Sequence, residues 1–193
     1  TEIANMINNC RVCGSNYFDK ELLSYRNMPS SAQGFLKRED LQNETGSNIT
    51  IVQCEKCGLI QLDNPPVPYY KEVIRSSAFS EEMRDFRFDQ FKLWVKKYKL
   101  ENKKILEVGC GKGEYLEILA NSGVNAFGVE YSKQSVNYCN KNNLAVTRGF
   151  LGDKTLNLYD QPYSGFMCLS FMEHWPNPNK VLRSLSENLS DGA

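Results

Sequence analysis

Ile105-Leu-Glu107-Val-Gly109-Cys-Gly111-Lys-Gly113 decides the fold of this chain. Its first half is a short apolar run of the kind that forms a buried strand. Its second half sets glycine at alternate positions. Tyr115, Leu116, Leu119 and Ala120 then fall on one helical face, with Gly123 as the expected cap. Strand, glycine turn and helix bring bare backbone close to a ligand at a strand's carboxyl end, where open α/β sheets bind. A dinucleotide needs G-x-G-x-x-G, with its pyrophosphate on the helix N-terminus. The last glycine of that pattern would fall on Glu114, an acid that repels a diphosphate. Glu107 before the first glycine and Glu114 at the helix start suit a cationic ligand without phosphate.

The next strand, Ala126–Glu130, ends in an acid about 20 residues after the turn, where ribose hydroxyls are usually held. S-adenosylmethionine has a ribose, a sulfonium, an ammonium and no phosphate, and it fits this pattern. Ser132 is expected to cap a helix through about Asn142. Leu144–Thr147 and Phe166–Phe171 read as a third and a fourth strand. Asn177 and Pro178 open a last helix, with Val181, Leu182, Leu185 and Leu189 on its buried side. Strands alternating with helices imply a parallel sheet with helices on its faces. The fold class is α/β, Rossmann-like.

From Lys103 to the end the chain resembles class I methyltransferases. The resemblance implies that Glu107, Gly109, Gly111 and Gly113 form the first cofactor motif. It also implies that Glu130 binds the ribose, with Tyr131 near the adenine. A complete sheet of that family has more strands than the four legible here, so a truncated, N-terminal part of the domain is expected.

Upstream, Cys10-Arg-Val-Cys13-Gly and Cys54-Glu-Lys-Cys57-Gly repeat one device. Two thiolates two residues apart grip one ion from a tight turn, and two such knuckles complete a closed tetrahedral site. Structural zinc is the expected metal, with iron in the same four-sulfur site as the lesser alternative. A closed site leaves no position for substrate, so the metal is expected to hold together a segment with little core. The other three cysteines, Cys110, Cys139 and Cys168, lie in apolar stretches and read as packing residues.

Asn27-Met-Pro29, Gly46-Ser-Asn48 and Pro65-Pro66 punctuate the first zone as turns. Ile49–Val52 and Leu59–Leu62 read as short strands. Ser80, Glu81 and Glu82 begin a long helix with Phe88, Phe91, Val95 and Tyr98 on one stripe and Lys96, Lys97 and Lys99 at its end. The expected organisation is a zinc-ribbon-like domain at 1–68, a linking helix region at 69–102 and the cofactor-binding domain at 103–193.

Glu173-His174 follows the fourth strand, and His174 is the only histidine. An imidazole beside a carboxylate can take a proton near neutral pH; the plainer alternative is that the pair shapes its loop. The Cys-Arg-x-Cys-Gly opening, the Cys-x-x-Cys-Gly-Leu-x-Gln-Leu run at Cys54–Leu62, Ser76-Ser77, the glycine motif and the late Glu-His together resemble the sugar C-methyltransferases. That resemblance implies a nucleotide-linked keto sugar as acceptor, His174 as general base and Glu173 as its partner. The chain departs from that family at Glu72 and Ile74, where tyrosines are usual, at Phe171, also usually tyrosine, and at Gly111-Lys112-Gly113.

Lys plus Arg equals Asp plus Glu at 23 each, against the basic surplus of most nucleic-acid binders. No apolar run is long enough for a bilayer, no signal peptide opens the chain, and a cytoplasmic location is expected. Four readings remain open: a methyltransferase acting on a sugar carbon, one acting on oxygen or nitrogen of another small molecule, an RNA base methyltransferase, and an inactive zinc-scaffolded binding module. The oligomeric state is left open.

Overall fold

The computed structural model describes residues 7–29, 36–67, 69–72 and 80–193. Ser76, Ser77, Ile74 and the boundary at Pro68 fall outside them. Two compact units share the chain: Thr1–Val73 with Pro176–Asn179, and Ile74–Trp175 with Lys180–Ala193. The long helix α1, Glu81–Tyr98, therefore belongs to the second unit.

In the first unit, β1 (Leu23–Met28), β2 (Ser47–Gln53) and β3 (Ile60–Leu62) form an antiparallel sheet in that order. Leu23 lies opposite Ile51, and Ile51 opposite Leu62. Asn27 corrects the turn expected at Asn27–Pro29. It lies inside β1 with φ +54, where the pairing slips between Tyr25 and Met28. Asn tolerates this left-handed backbone better than most residues, so the turn signal here marks a bulge.

The second unit holds β4 (Lys104–Val108), β5 (Asn125–Glu130), β6 (Val146–Arg148) and β7 (Gly165–Met167). They lie in the order β6-β5-β4-β7, and every pair is parallel. Helices α2 (Glu114–Asn121), α3 (Lys133–Lys141) and α4 (Pro178–Glu187) make the crossovers and the final return. This is the α/β, Rossmann-like architecture expected. Phe91 and Val95 of α1 join Leu100, Ile105, Ile118, Leu119 and Val124 in one buried cluster. Each such side chain contributes about 1.5–3 kcal/mol by leaving water. Ser80 and Ser132 cap α1 and α3 by accepting from Met83 N and Ser135 N.

Several expectations shift. Tyr98 and Leu182 are exposed, because their helices bury stripes narrower than the sequence pattern. Ser122 takes the C-cap of α2, with Gly123 one residue beyond at φ +98. The third strand starts late because Leu144 packs its side chain against Gly113. The fourth stops at Met167, since Ser170 at φ +51 turns the chain out of the sheet. Leu189 lies past α4 and makes a parallel bridge with Tyr163. Among the described residues, no helix is long and apolar enough to cross a membrane.

Candidate cofactor site and metal centre

The carboxyl ends of the four parallel strands bring together the glycine turn, Glu130, Phe150 and the segment after β7. Gly109, Gly111 and Gly113 all have positive φ, at +73, +57 and +84. That backbone strongly favours glycine, which explains the alternate spacing. The turn is tied to the neighbouring strand, since Gly109 N donates to Val129 O at 2.9 Å. At Gly113 a side chain would strike Leu144 and come within 3.2 Å of Cys139 Sγ.

Glu130 reaches back to the turn. Its Oε2 accepts from Gly111 N at 3.0 Å and its Oε1 from Ser132 N at 2.8 Å. A carboxylate has about four acceptor sites, so each oxygen keeps a lone pair for another donor. Glu107 is 1% exposed and sits in β4 between Gly128 and Met167. Tyr131 is half-buried, and its carbonyl accepts from Arg148 Nε at 3.4 Å.

Two cysteines pack beneath the turn. Cys139 Sγ donates to Gly111 O at 3.5 Å, and Cys110 Sγ lies against Gly128. A hydrogen bond from Cys110 to Cys139 pushes the Cys110 thiol well above its ordinary value, helped by burial and Glu107. The same bond lowers Cys139. Cys168, just after β7, is pushed up to about 12 by burial, then by Glu173 and Glu107.

Glu173 and His174 lie in a 3-10 turn, Met172–His174. His174 Nε2 stands 3.9 Å from Glu173 Oε1, too far for a hydrogen bond, so the expected orienting contact is not made here. The ring that does approach the turn is Phe171. It covers Gly109, meets Phe150 edge-on with centroids 6.1 Å apart, and lies 6.4 Å from the His174 ring. The sequence marks Phe171 as the end of the fourth strand and as a departure from a family pattern; its place over Gly109 depends on the backbone turn at Ser170.

In the first unit the four paired cysteines converge, with their sulfurs within 4.8 Å of one another. Cys13 and Cys54 approach to 3.4 Å, and Cys10 and Cys57 to 3.6 Å. A tetrahedron with zinc–sulfur bonds of about 2.3 Å has edges of roughly 3.8 Å, close to these contacts. The donor set therefore fits a divalent, thiophilic ion. Gly14 N and Gly58 N close the knuckles onto Cys10 O and Cys54 O at 2.9 and 3.1 Å. A polar layer supports them. Gln61 accepts from Arg11 N at 3.0 Å and donates to Tyr17 Oη at 2.9 Å, and that hydroxyl donates to Asn9 O at 2.6 Å. The sequence carried Gln61 and Arg11 inside the cysteine motifs but not their joint role.

Comparison with known proteins places residues 79–193 in the family described as Methyltransferase domain. The ubiquinone biosynthesis O-methyltransferase of Proteus mirabilis is 29% identical over 98 residues, covering 48% of this chain and 40% of that protein. The protein of the same name from Idiomarina loihiensis is 31% identical over 98 residues, with the same coverage. The matched stretch thus spans about two-fifths of the length of these curated relatives. A solved magnesium protoporphyrin IX methyltransferase from Synechocystis with bound SAM aligns over 66% of this chain and 62% of its own, at 17% identity and a TM-score of 0.46. With more than half of its length matched, from the start of α1 to the last residue, the chain belongs to the methyltransferase domain family.

Proposed function

We propose that the chain is the S-adenosylmethionine-binding part of a methyltransferase that acts on a small molecule. The observation that carries this reading is the hydrogen bond of Glu130 to Gly111 N at 3.0 Å. It joins a ribose-type acceptor and a bare glycine turn in one site. The three glycines share the positive-φ backbone of a bare turn, and the surrounding acids suit a cation. The residues present fit the cofactor. Gly109, Gly111 and Gly113 would present backbone to it, Glu130 would accept from its ribose, Tyr131 would lie toward the adenine, and Glu107 would set the negative field. Bound there, the cofactor supplies an electrophilic methyl group.

The acceptor we favour is a carbon beside the keto group of a nucleotide-linked sugar. The support is the joint presence of the paired cysteines, the glycine motif and the late Glu-His. His174 would take the proton of that carbon, with Glu173 steadying the imidazolium at the 3.9 Å seen. A second reading, transfer to an oxygen, draws on the names of the curated relatives. There His174 would take a hydroxyl proton instead. Cys10, Cys13, Cys54 and Cys57 would hold a structural zinc ion with no part in the transfer.

Titration calorimetry of the chain with S-adenosylhomocysteine, NAD and ATP tests the core of this reading. Saturable one-to-one binding of S-adenosylhomocysteine alone is expected. Binding of NAD or ATP in preference would refute it.

A further inference from the structure

The first glycine of the turn is covered by a side chain of the same unit. A methyl group placed on Gly109 would meet Phe171 Cδ1 at 2.6 Å and Cγ at 2.7 Å. Gly109 has φ +73, the backbone that lets a ligand approach where a Cβ would otherwise stand. An aromatic ring fills that approach here.

The ring is lightly held. Phe171 is half-buried, with its edge-on contact to Phe150 and the nearby His174 ring. It leaves β7 through Ser170, whose φ of +51 is strained for a residue with a side chain. Such a residue can absorb a backbone rotation when a segment moves. Phe171 also opens the turn that carries His174, since His174 N donates to Phe171 O at 3.1 Å. Ring and imidazole therefore sit on one small element and move together.

We propose that Phe171 is an internal competitor for the cofactor, a positioning residue that sets cofactor affinity and links it to His174. This rests on the reading of the turn as an S-adenosylmethionine site. The ring lies on Gly109. For the nucleoside to settle on the turn, the ring first withdraws about Ser170 and carries His174 to a new position. Cofactor binding thus precedes productive binding of the acceptor. The ring lowers apparent affinity by the fraction of molecules in which it is withdrawn.

Trp175 lies next to the moving turn, and Trp94 is the only other tryptophan. In a Trp94→Phe background, stopped-flow fluorescence can follow S-adenosylhomocysteine binding, with calorimetry giving affinity. The parent's observed rate should level off as ligand rises, because ring withdrawal becomes limiting. Phe171→Ala should show a linear rise and at least about threefold tighter binding. Phe171→Tyr, which keeps the ring, should behave as the parent. Phe171→Leu keeps a contact for Phe150 and answers the same question if the alanine variant does not fold. Equal affinity and equal rate dependence in parent and ring-free variants would overturn the proposal and leave cofactor binding standing. Binding by neither would sink the cofactor reading and the proposal together.

Discussion

Glu130→Gln is the sharpest test of how the turn is organised. The carboxylate accepts from Gly111 N at 3.0 Å and from Ser132 N at 2.8 Å. Hydrogen bonds to a charged partner are worth about 1.5–3 kcal/mol each. An amide keeps one acceptor and turns an NH2 group toward the other backbone N–H. One charge-assisted bond is lost outright, and the other becomes neutral. The half-buried setting of Glu130 lets water soften the loss, which puts the cost near the low end, about 2 kcal/mol.

That cost is local, so a local readout suits it. Amide hydrogen exchange at Gly111 should speed up by about 30-fold, at 1.4 kcal/mol per decade. Affinity for S-adenosylhomocysteine should fall by at least a similar factor, because the cradle loosens and the ribose acceptor weakens. An analogue without the ribose hydroxyls separates these effects. The parent should prefer the natural nucleoside, and the preference should largely vanish in Glu130→Gln. Unchanged exchange at Gly111 together with unchanged affinity would refute the claim that Glu130 shapes this site.

Three further outcomes follow from the same geometry. Cys54→Ser should abolish the one-to-one zinc content measured by atomic absorption, and chelation of the parent should strip exchange protection from the Cys54 and Gly58 amides, because ion binding in such sites is folding energy. His174→Gln should cut methyl transfer to an acceptor at least about a hundredfold while S-adenosylhomocysteine affinity by calorimetry stays within about twofold; unchanged turnover would remove the base. Tyr163 is pushed up to about 12 by burial and then Asp160, and its hydroxyl donates to Tyr159 O; since an unfolded tyrosine ionises near ~10, its contribution to stability is complete below that pH and is lost as pH rises toward 12, so the melting midpoint of Tyr163→Phe should fall less steeply there.

The parts read from sequence were those that local chemistry dictates. Alternate glycines demand a positive-φ turn, Ser80 and Ser132 announce helix starts, and two Cys-x-x-Cys-Gly knuckles announce converging sulfurs; all are present. What stayed hidden depends on partners distant in the chain. β1 went unread because Asn27-Met28-Pro29 looks like a turn, and only pairing with Ser47–Gln53 makes it a strand. Leu144 looks like the start of a strand, yet its side chain fills space against Gly113. Gln61 looks like a surface residue of a short strand until Arg11 and Tyr17 meet it from the other knuckle. Phe171 looks like the apolar end of β7, but a left-handed Ser170 turns it onto Gly109.

The electrostatics of the rim bear on why a glycine turn of this shape would take a nucleoside without phosphate. Glu107 is buried in β4, Glu130 is tied to the turn, and Glu114 begins α2 with a buried Oε2 that takes no hydrogen bond among the described residues. Nearby thiols feel these acids. Cys110 is held neutral by its bond to Cys139, by burial and by the charges of Glu107 and Glu130. Cys168 is held neutral by burial and by Glu173 and Glu107. Carboxylates at this rim would repel a phosphate, which carries more than one negative charge. The same field favours a sulfonium and an ammonium. On the proposed reading, the glycines would supply the shape shared with dinucleotide sites, and the carboxylates would decide which class of nucleoside that shape admits.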